Sequence, residues 1–180
     1  MTENRASETP VPDKTQGRRY GRRLFVIVAV GVALLDQFTK LLVVQHLQLG
    51  LPQPLIRGFL SLTLAQNRGG AWGVMAGSHH VLTMIAALLI IGILAFGVSR
   101  RQRTPWVNVA LALLLGGALG NLADRLRLGY VVDFIDFSFW PTFNVADIAI
   151  STGAIMVLLD ALRGGPAPAP CTPAKDEETV

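Results

Sequence analysis

The stretch Leu24-Phe25-Val26-Ile27-Val28-Ala29-Val30-Gly31-Val32-Ala33-Leu34-Leu35-Asp36-Gln37-Phe38-Thr39-Lys40-Leu41-Leu42-Val43-Val44 decides the fold. A helix of about 20 mostly apolar residues spans the hydrocarbon core of a bilayer, and this run has that length. The basic pairs Arg18-Arg19 and Arg22-Arg23 precede it, as they would in a secretory signal. The run is too long for a signal core, however, and no small-residue cleavage site follows. It reads as a retained first transmembrane helix. Asp36 and Lys40, four residues apart, share one face of that helix and can pair there.

Working outward, Val81 to Val98 is free of charge, and Trp106 to Leu122 and Val145 to Leu162 supply two more candidate spans. The expected fold is an all-α membrane protein of four transmembrane helices. Gly116, Gly117 and Gly120 would let neighbouring helices approach closely, as small residues do in membrane interfaces. Composition agrees with a lipid-facing chain. Charged residues make up 16% of it, against about 25% in soluble domains, and mean hydropathy is +0.46. A chain of this size buries apolar surface poorly, so its 51% hydrophobic content exceeds what an internal core could use.

The net charge of +4 does not point to nucleic acid, because the basic residues cluster beside apolar runs as topology signals do. Arg5, Lys14, Arg18, Arg19, Arg22 and Arg23 precede the first helix. Arg100, Arg101 and Arg103 separate the second and third, and Arg163 and Lys175 follow the fourth. Threading four helices puts all of these on one side, so both termini are expected to be cytoplasmic. Residues 1-21 read as a disordered N-terminal extension, 22-163 as the membrane domain, and the Pro/Ala-rich segment 164-180 as a disordered tail. The lone Cys171 in that tail can build neither a disulfide framework nor a cysteine metal site.

Two outer connections remain. In the first, between helices 1 and 2, Phe59-Leu60-Ser61-Leu62-Thr63-Leu64 alternates as a half-buried strand does. The second, from about Ala123 to Phe143, is dense in Asp, Arg and aromatic residues. Ionisable groups in membrane helices are costly and mark functional sites by default. Five aspartates fall at the outer ends: Asp36, Asp124, Asp133, Asp136 and Asp147. Asp36 has Lys40. Asp124 has Arg125 and Arg127 and reads as a paired carboxylate positioning a loop. Asp136 lies among aromatics and reads as interfacial.

Asp133 and Asp147 have no cation within a helical turn. Asn144 is placed to N-cap the fourth helix, which sets Asp147 in its first turn. Two such carboxylates meeting at one depth would share a proton, one acting as general base towards water and the other as general acid towards a carbonyl. Simple solvation of both is the alternative. Asn67, Asn121 and Asn144 are suited to holding a carboxylate or a peptide, and equally to capping. No His or Glu joins the aspartates in ligand spacing, so neither metal nor cofactor is expected. His46, His79 and His80 read as interfacial.

The motifs Asp36-Gln37-Phe38-Thr39-Lys40, Asn67-Arg68-Gly69-Gly70-Ala71-Trp72-Gly73, Gly120-Asn121-Leu122-Ala123-Asp124-Arg125, Gly129-Tyr130-Val131-Val132-Asp133-Phe134 and Phe143-Asn144-Val145-Ala146-Asp147 resemble those of bacterial lipoprotein signal peptidase, signal peptidase II. They occur in that family's order, and the likeness covers about residues 24-162. The resemblance implies an intramembrane aspartic endopeptidase of the bacterial plasma (inner) membrane, with its active site at the extracytoplasmic face. Its substrates would be prolipoproteins carrying diacylglyceryl-cysteine, cut just before that cysteine. Membrane lipid and globomycin-type inhibitors would be its other partners.

By the same likeness Asp133 and Asp147 would be catalytic. Asn67, Asn121, Arg125 and Asn144 would bind substrate, and Asp36, Lys40 and Asp124 would support the site. The first outer connection would form an extracytoplasmic β-cradle. Gly70 and Trp72 depart mildly from the family pattern, and the interval from Asp133 to Asp147 is short for it. Two readings of other classes compete. A proton-coupled transporter would need polar residues along a whole path across the bilayer, and Val81 to Val98 of helix 2 is without a charge. A non-catalytic scaffold would tolerate loss of either Asp133 or Asp147.

Overall fold

The computed structural model describes residues 14-69, 79-98 and 104-163. Its elements run α1 (Lys14–His46), β1 (Gln53–Ile56), β2 (Leu60–Asn67), α2 (His79–Val98), α3 (Pro105–Leu128), β3 (Val131–Phe137) and α4 (Val145–Leu162). Gly70, Trp72 and the basic loop Arg100, Arg101 and Arg103 lie outside the described residues, as do 1-13 and 164-180. α1 begins at Lys14, inside the segment expected to be an N-terminal extension.

Three helical stretches among the described residues are long and apolar enough to cross a membrane: Gly21–His46, Pro105–Leu128 and Val145–Leu162. α2 adds a shorter apolar stretch, His80–Phe96. Half of the apolar window of α3 is buried, against 17% in α1 and α4, so α3 is the central helix. Ala29 of α1, Ile90 and Ile93 of α2, and Leu111, Ala112, Leu115 and Ala118 of α3 form its core. Large apolar side chains such as Ile27, Leu34, Met84 and Leu88 remain exposed on the outer helix faces. Water would disfavour that surface, and acyl chains would not.

The small residues of α3 carry the packing. A Cβ on Gly116 would lie 2.5 Å from the Ala29 carbonyl oxygen, and one on Gly117 would lie 2.5 Å from that of Ala146. One on Gly120 would lie 2.5 Å from Asp36 Oδ2. α1 and α4 thus approach α3 at separations that only glycine permits. At the start of α3 Thr104 caps the helix by accepting from Val107 N. Trp106 Nε1 there donates to the Met156 carbonyl at 2.9 Å, and Arg163 lies over the Trp106 ring.

The sheet corrects two expectations. The cradle is not confined to the connection between helices 1 and 2. It is a three-stranded antiparallel sheet in the order β1-β2-β3, and β3 comes from the connection between α3 and α4. Val131-Val132-Asp133-Phe134 is a buried strand, an apolar run whose single polar member masks its period. α3 also continues to Leu128, so Asp124, Arg125 and Arg127 belong to its last turns and not to a loop. Gly129 ends it in the left-handed conformation (φ 77°), its N–H donating to the Arg125 carbonyl, as glycine C-caps do. Phe59, Phe137 and Phe139 gather at the tip of the sheet, with Phe143 stacked on Phe137.

Because the added Cβ of Gly117 would meet backbone, Gly117→Val is expected to cost about 1–3 kcal/mol, read as a lower thermal midpoint in detergent. Gly92, with nothing within 4 Å of its added Cβ, is the contrast. Gly92→Ala should hold or raise that midpoint.

Candidate active site

The site grows from one buried ammonium. Lys40 is 3% exposed and its Nζ donates to Asp36 Oδ2 at 2.8 Å, Asp124 Oδ2 at 2.9 Å and Asn121 Oδ1 at 3.0 Å. Three protons meet three acceptors, as a buried ammonium requires. The Asp36–Lys40 pair therefore forms as expected. Asp124, by contrast, pairs with Lys40 and not with its neighbours Arg125 and Arg127. Arg125, the next residue on the helix, points away from it, and Arg127 Nη1 is taken by Gln37 Oε1, while Lys40 faces it across the α1–α3 contact.

Each carboxylate also holds another element in place. Asp36 Oδ1 accepts from Ala146 N of α4 at 2.9 Å, a free amide in the first turn of that helix. Asp124 Oδ2 accepts from Val132 N of β3 at 3.1 Å. The residue after Val132 and the residue after Ala146 are Asp133 and Asp147. The ion cluster thus anchors the backbone immediately before each of the two unpaired aspartates.

Asn144 joins those two. Its Nδ2 donates to Asp133 Oδ1 at 2.6 Å, and its backbone N donates to Asp147 Oδ2 at 3.3 Å. Its Oδ1 accepts from Asp147 N at 3.0 Å, which closes a capping box at the start of α4. One residue touching both carboxylates brings β3 and α4 together at this point. Asn67 Nδ2 donates to Asp133 Oδ2 at 2.9 Å, and Asn121 Nδ2 donates to Asp147 Oδ1 at 2.8 Å. Arg125 lies within electrostatic reach of Asp147, Asp133 and Asp124. All three asparagines singled out in the sequence therefore converge on the two aspartates. Asp136 does not join them and accepts instead from Thr63 Oγ1 at 2.7 Å.

Burial, and then the nearby Asp147 carboxylate, push the Asp133 carboxyl up to about 7, against the opposing hydrogen bonds from Asn67 and Asn144. Asp133 is 1% exposed, while Asp147 at the helix start is only partly buried. A carboxyl held near neutrality in the buried interior thus stands beside a second one that is only partly buried. Among the described residues no group of three or more His, Cys, Asp or Glu side chains is placed to hold a metal ion.

Gln37 and Arg127 were not legible as part of the site. Gln37 Nε2 donates to Asp124 Oδ1 at 3.0 Å and to the Gly120 carbonyl at 3.2 Å, and Arg127 Nη1 donates to Gln37 Oε1 at 3.0 Å. The signal was an uncharged amide beside Asp36 inside an otherwise apolar run.

The architecture and the site have counterparts among known proteins. Two solved structures, each described as a bacterial membrane enzyme, match this fold. One has a TM-score of 0.73 at 32% identity, covering 87% of this chain and 94% of its own. The other has a TM-score of 0.71 at 33% identity, covering 79% and 94%. The class is thus a multi-pass membrane enzyme. The sequence profile of signal peptidase (SPase) II matches residues 28–163. A lipoprotein signal peptidase of Halothermothrix orenii is 41% identical over 133 residues, 74% of this chain and 91% of that protein. One of Caldanaerobacter subterraneus is 43% identical over 143 residues, covering 78% and 97%. The chain belongs to the signal peptidase II family and is a peptidase.

The Asp133 environment has a consequence for stability. The unfolded carboxyl loses its proton near the ordinary 3.8 and the folded one near about 7. Between those values the unfolded chain holds fewer protons, so stability falls as pH rises through that window. Asp133→Asn removes this loss. Its thermal midpoint in detergent, relative to the unmodified protein, should be higher above pH 7 than near pH 4.

Proposed function

We propose that this protein is an aspartic endopeptidase of the bacterial plasma membrane. It removes the signal peptide of prolipoproteins, cutting just before the diacylglyceryl-modified cysteine. The observation that carries the aspartic reading is the double contact of Asn144, with Asp133 on one side and Asp147 on the other. Two carboxyl groups so placed repel as a pair of anions and hold one proton between them.

In the proposed reaction Asp147, ionised and nearer to water, takes a proton from the attacking water. Asp133 gives its proton to the oxygen of the scissile carbonyl, and a tetrahedral diol forms. Collapse of the diol returns the Asp133 proton and passes the other to the leaving nitrogen as the C–N bond breaks. Asn67, Asn121 and Asn144 fix the two carboxylates and line the substrate, and Arg125 adds positive charge where the oxyanion develops.

Four membrane spans with both termini cytoplasmic follow from the placement of Lys and Arg, α2 supplying the fourth. This topology puts the sheet and the aspartates at the outer interface. A signal helix ends there, and a diacylglyceryl group keeps its chains in the outer leaflet at the same depth. Residues 22-163 would form the peptidase domain, with 1-21 and 164-180 as variable ends. The sheet would lie on the membrane surface beside the substrate, and globomycin-type inhibitors would occupy the same site.

Cleavage of a diacylglyceryl prolipopeptide by the purified protein in detergent tests the proposal. Asp133→Asn and Asp147→Asn should each lower kcat by roughly 10²–10⁴-fold, and Asp136→Asn should fall by less than tenfold. Cleavage that persists in both of the first two variants would dispose of the aspartate pair. Because Asp133 must be protonated to act as the acid, kcat should decline as pH rises through about 7, and a rate still rising there would reverse the assignment of acid and base.

A further inference from the structure

The buried cation does more than neutralise charge, because an ammonium can only donate hydrogen bonds. A carboxamide, in contrast, offers an acceptor at one end and a donor at the other, and can be turned either way. Asn121 stands between Lys40 and Asp147. Its Oδ1 receives Lys40 Nζ at 3.0 Å and Asn144 Nδ2 at 3.2 Å, which leaves its Nδ2 for Asp147 Oδ1 at 2.8 Å. Reversing the amide would set NH2 against the ammonium and against the Asn144 NH2, and would set oxygen against the Asp147 carboxylate.

Asn144 has its own guide. Its Oδ1 takes the backbone N–H of Asp147, which cannot accept, so its orientation is fixed by the start of α4. The Asn144 NH2 also divides its two protons among Asn121 Oδ1, the Val132 carbonyl and Asp133 Oδ1, so its hold on Asn121 is a shared one. Lys40 supplies the committed donor. The same device recurs one layer outward, where Arg127 takes the oxygen of Gln37 and the Gln37 NH2 is delivered to Asp124.

From this geometry we infer that Lys40 is a positioning residue for the reaction, whose ammonium orients the Asn121 carboxamide so that Asp147 always faces a donor. The inference rests on the aspartate-pair reading above. With the donor in place Asp147 keeps a defined rotamer and its negative charge, ready to take a proton from water. With the amide free to turn, part of the population presents oxygen to oxygen and the base swings or neutralises. Lys40 acts through Asn121 and not on the reacting atoms.

Lys40→Met alone would leave Asp36 and Asp124 buried without their cation, so the informative variant is Asp36→Asn with Lys40→Met. This double change keeps the summed charge of Lys40, Asp36 and Asp124 as it was and removes the donor to Asn121. Full-length protein in detergent, assayed on a diacylglyceryl prolipopeptide, should show kcat at least about tenfold below that of both the charge-matched unmodified protein and Asp36→Asn alone, with KM within about twofold. Equal kcat in the two variants would overturn the inference. So would a double variant that cannot be recovered monodisperse, since Lys40 would then be a folding requirement only. Asp133→Asn assayed alongside separates the two levels. Undiminished cleavage there and in Asp147→Asn defeats the aspartate pair itself, whereas its loss there, with no loss in the double variant, defeats only the role of Lys40.

Discussion

The burial of one ammonium among two carboxylates and an amide oxygen is the constraint on which the polar end of this helix bundle depends. Lys40, Asp36 and Asp124 are each at most 3% exposed. Ions removed from water in this way are tolerated only when every donor and acceptor is met, and here the acceptors come from different elements. Satisfying Lys40 draws α1 and α3 together. The remaining lone pairs of the same carboxylates then fix α4 through Ala146 N and β3 through Val132 N. A single desolvated charge thereby sets the relative positions of four elements, and Asp133 and Asp147 are the next residues along two of them.

Helix packing makes this possible. Asp36 reaches its position only because α3 has glycine opposite it, and α4 sits against the same helix through Gly117 and Gly153. Small residues in membrane helices normally serve close packing for its own sake. Here they also bring a carboxylate of one helix to the backbone amide of another. The polar site and the apolar bundle are consequently one structure, since loosening the α1–α3 contact would separate Lys40 from Asp124 and Asn121 together.

Much of this was legible in the sequence, and the remainder was hidden for physical reasons. Four membrane-spanning helices were expected; among the described residues there are four helices, three of them long and apolar enough to cross a membrane, because long apolar runs have few alternatives in a bilayer. The start of α4 was marked by Asn144 and Asp147, whose reciprocal cap is a local interaction. β2 showed itself by alternation. β3 did not, since Val131-Val132-Asp133-Phe134 is buried throughout and a buried strand lacks a two-residue period. The end of α3 was placed too early because charged residues there looked like a loop, when they are the polar turns of a helix leaving the hydrocarbon. The pairing of Asp124 was assigned to the nearest arginines in sequence, whereas its cation comes from another helix. Gln37 and Arg127 escaped for the same reason, as their partners are distant along the chain. Local signals are readable from residues alone, and contacts between helices are not.

The catalytic account turns on one proton held at Asp133 near neutrality. Infrared difference spectroscopy of the full-length protein, titrated across the transition at about 7, reads that proton directly. The account predicts a protonated-carboxyl stretching band below the transition that disappears above it. The band should be absent from Asp133→Asn and retained in Asp136→Asn. A protein that shows no such band below the transition, or one that survives in Asp133→Asn, would contradict the shared-proton pair at its centre.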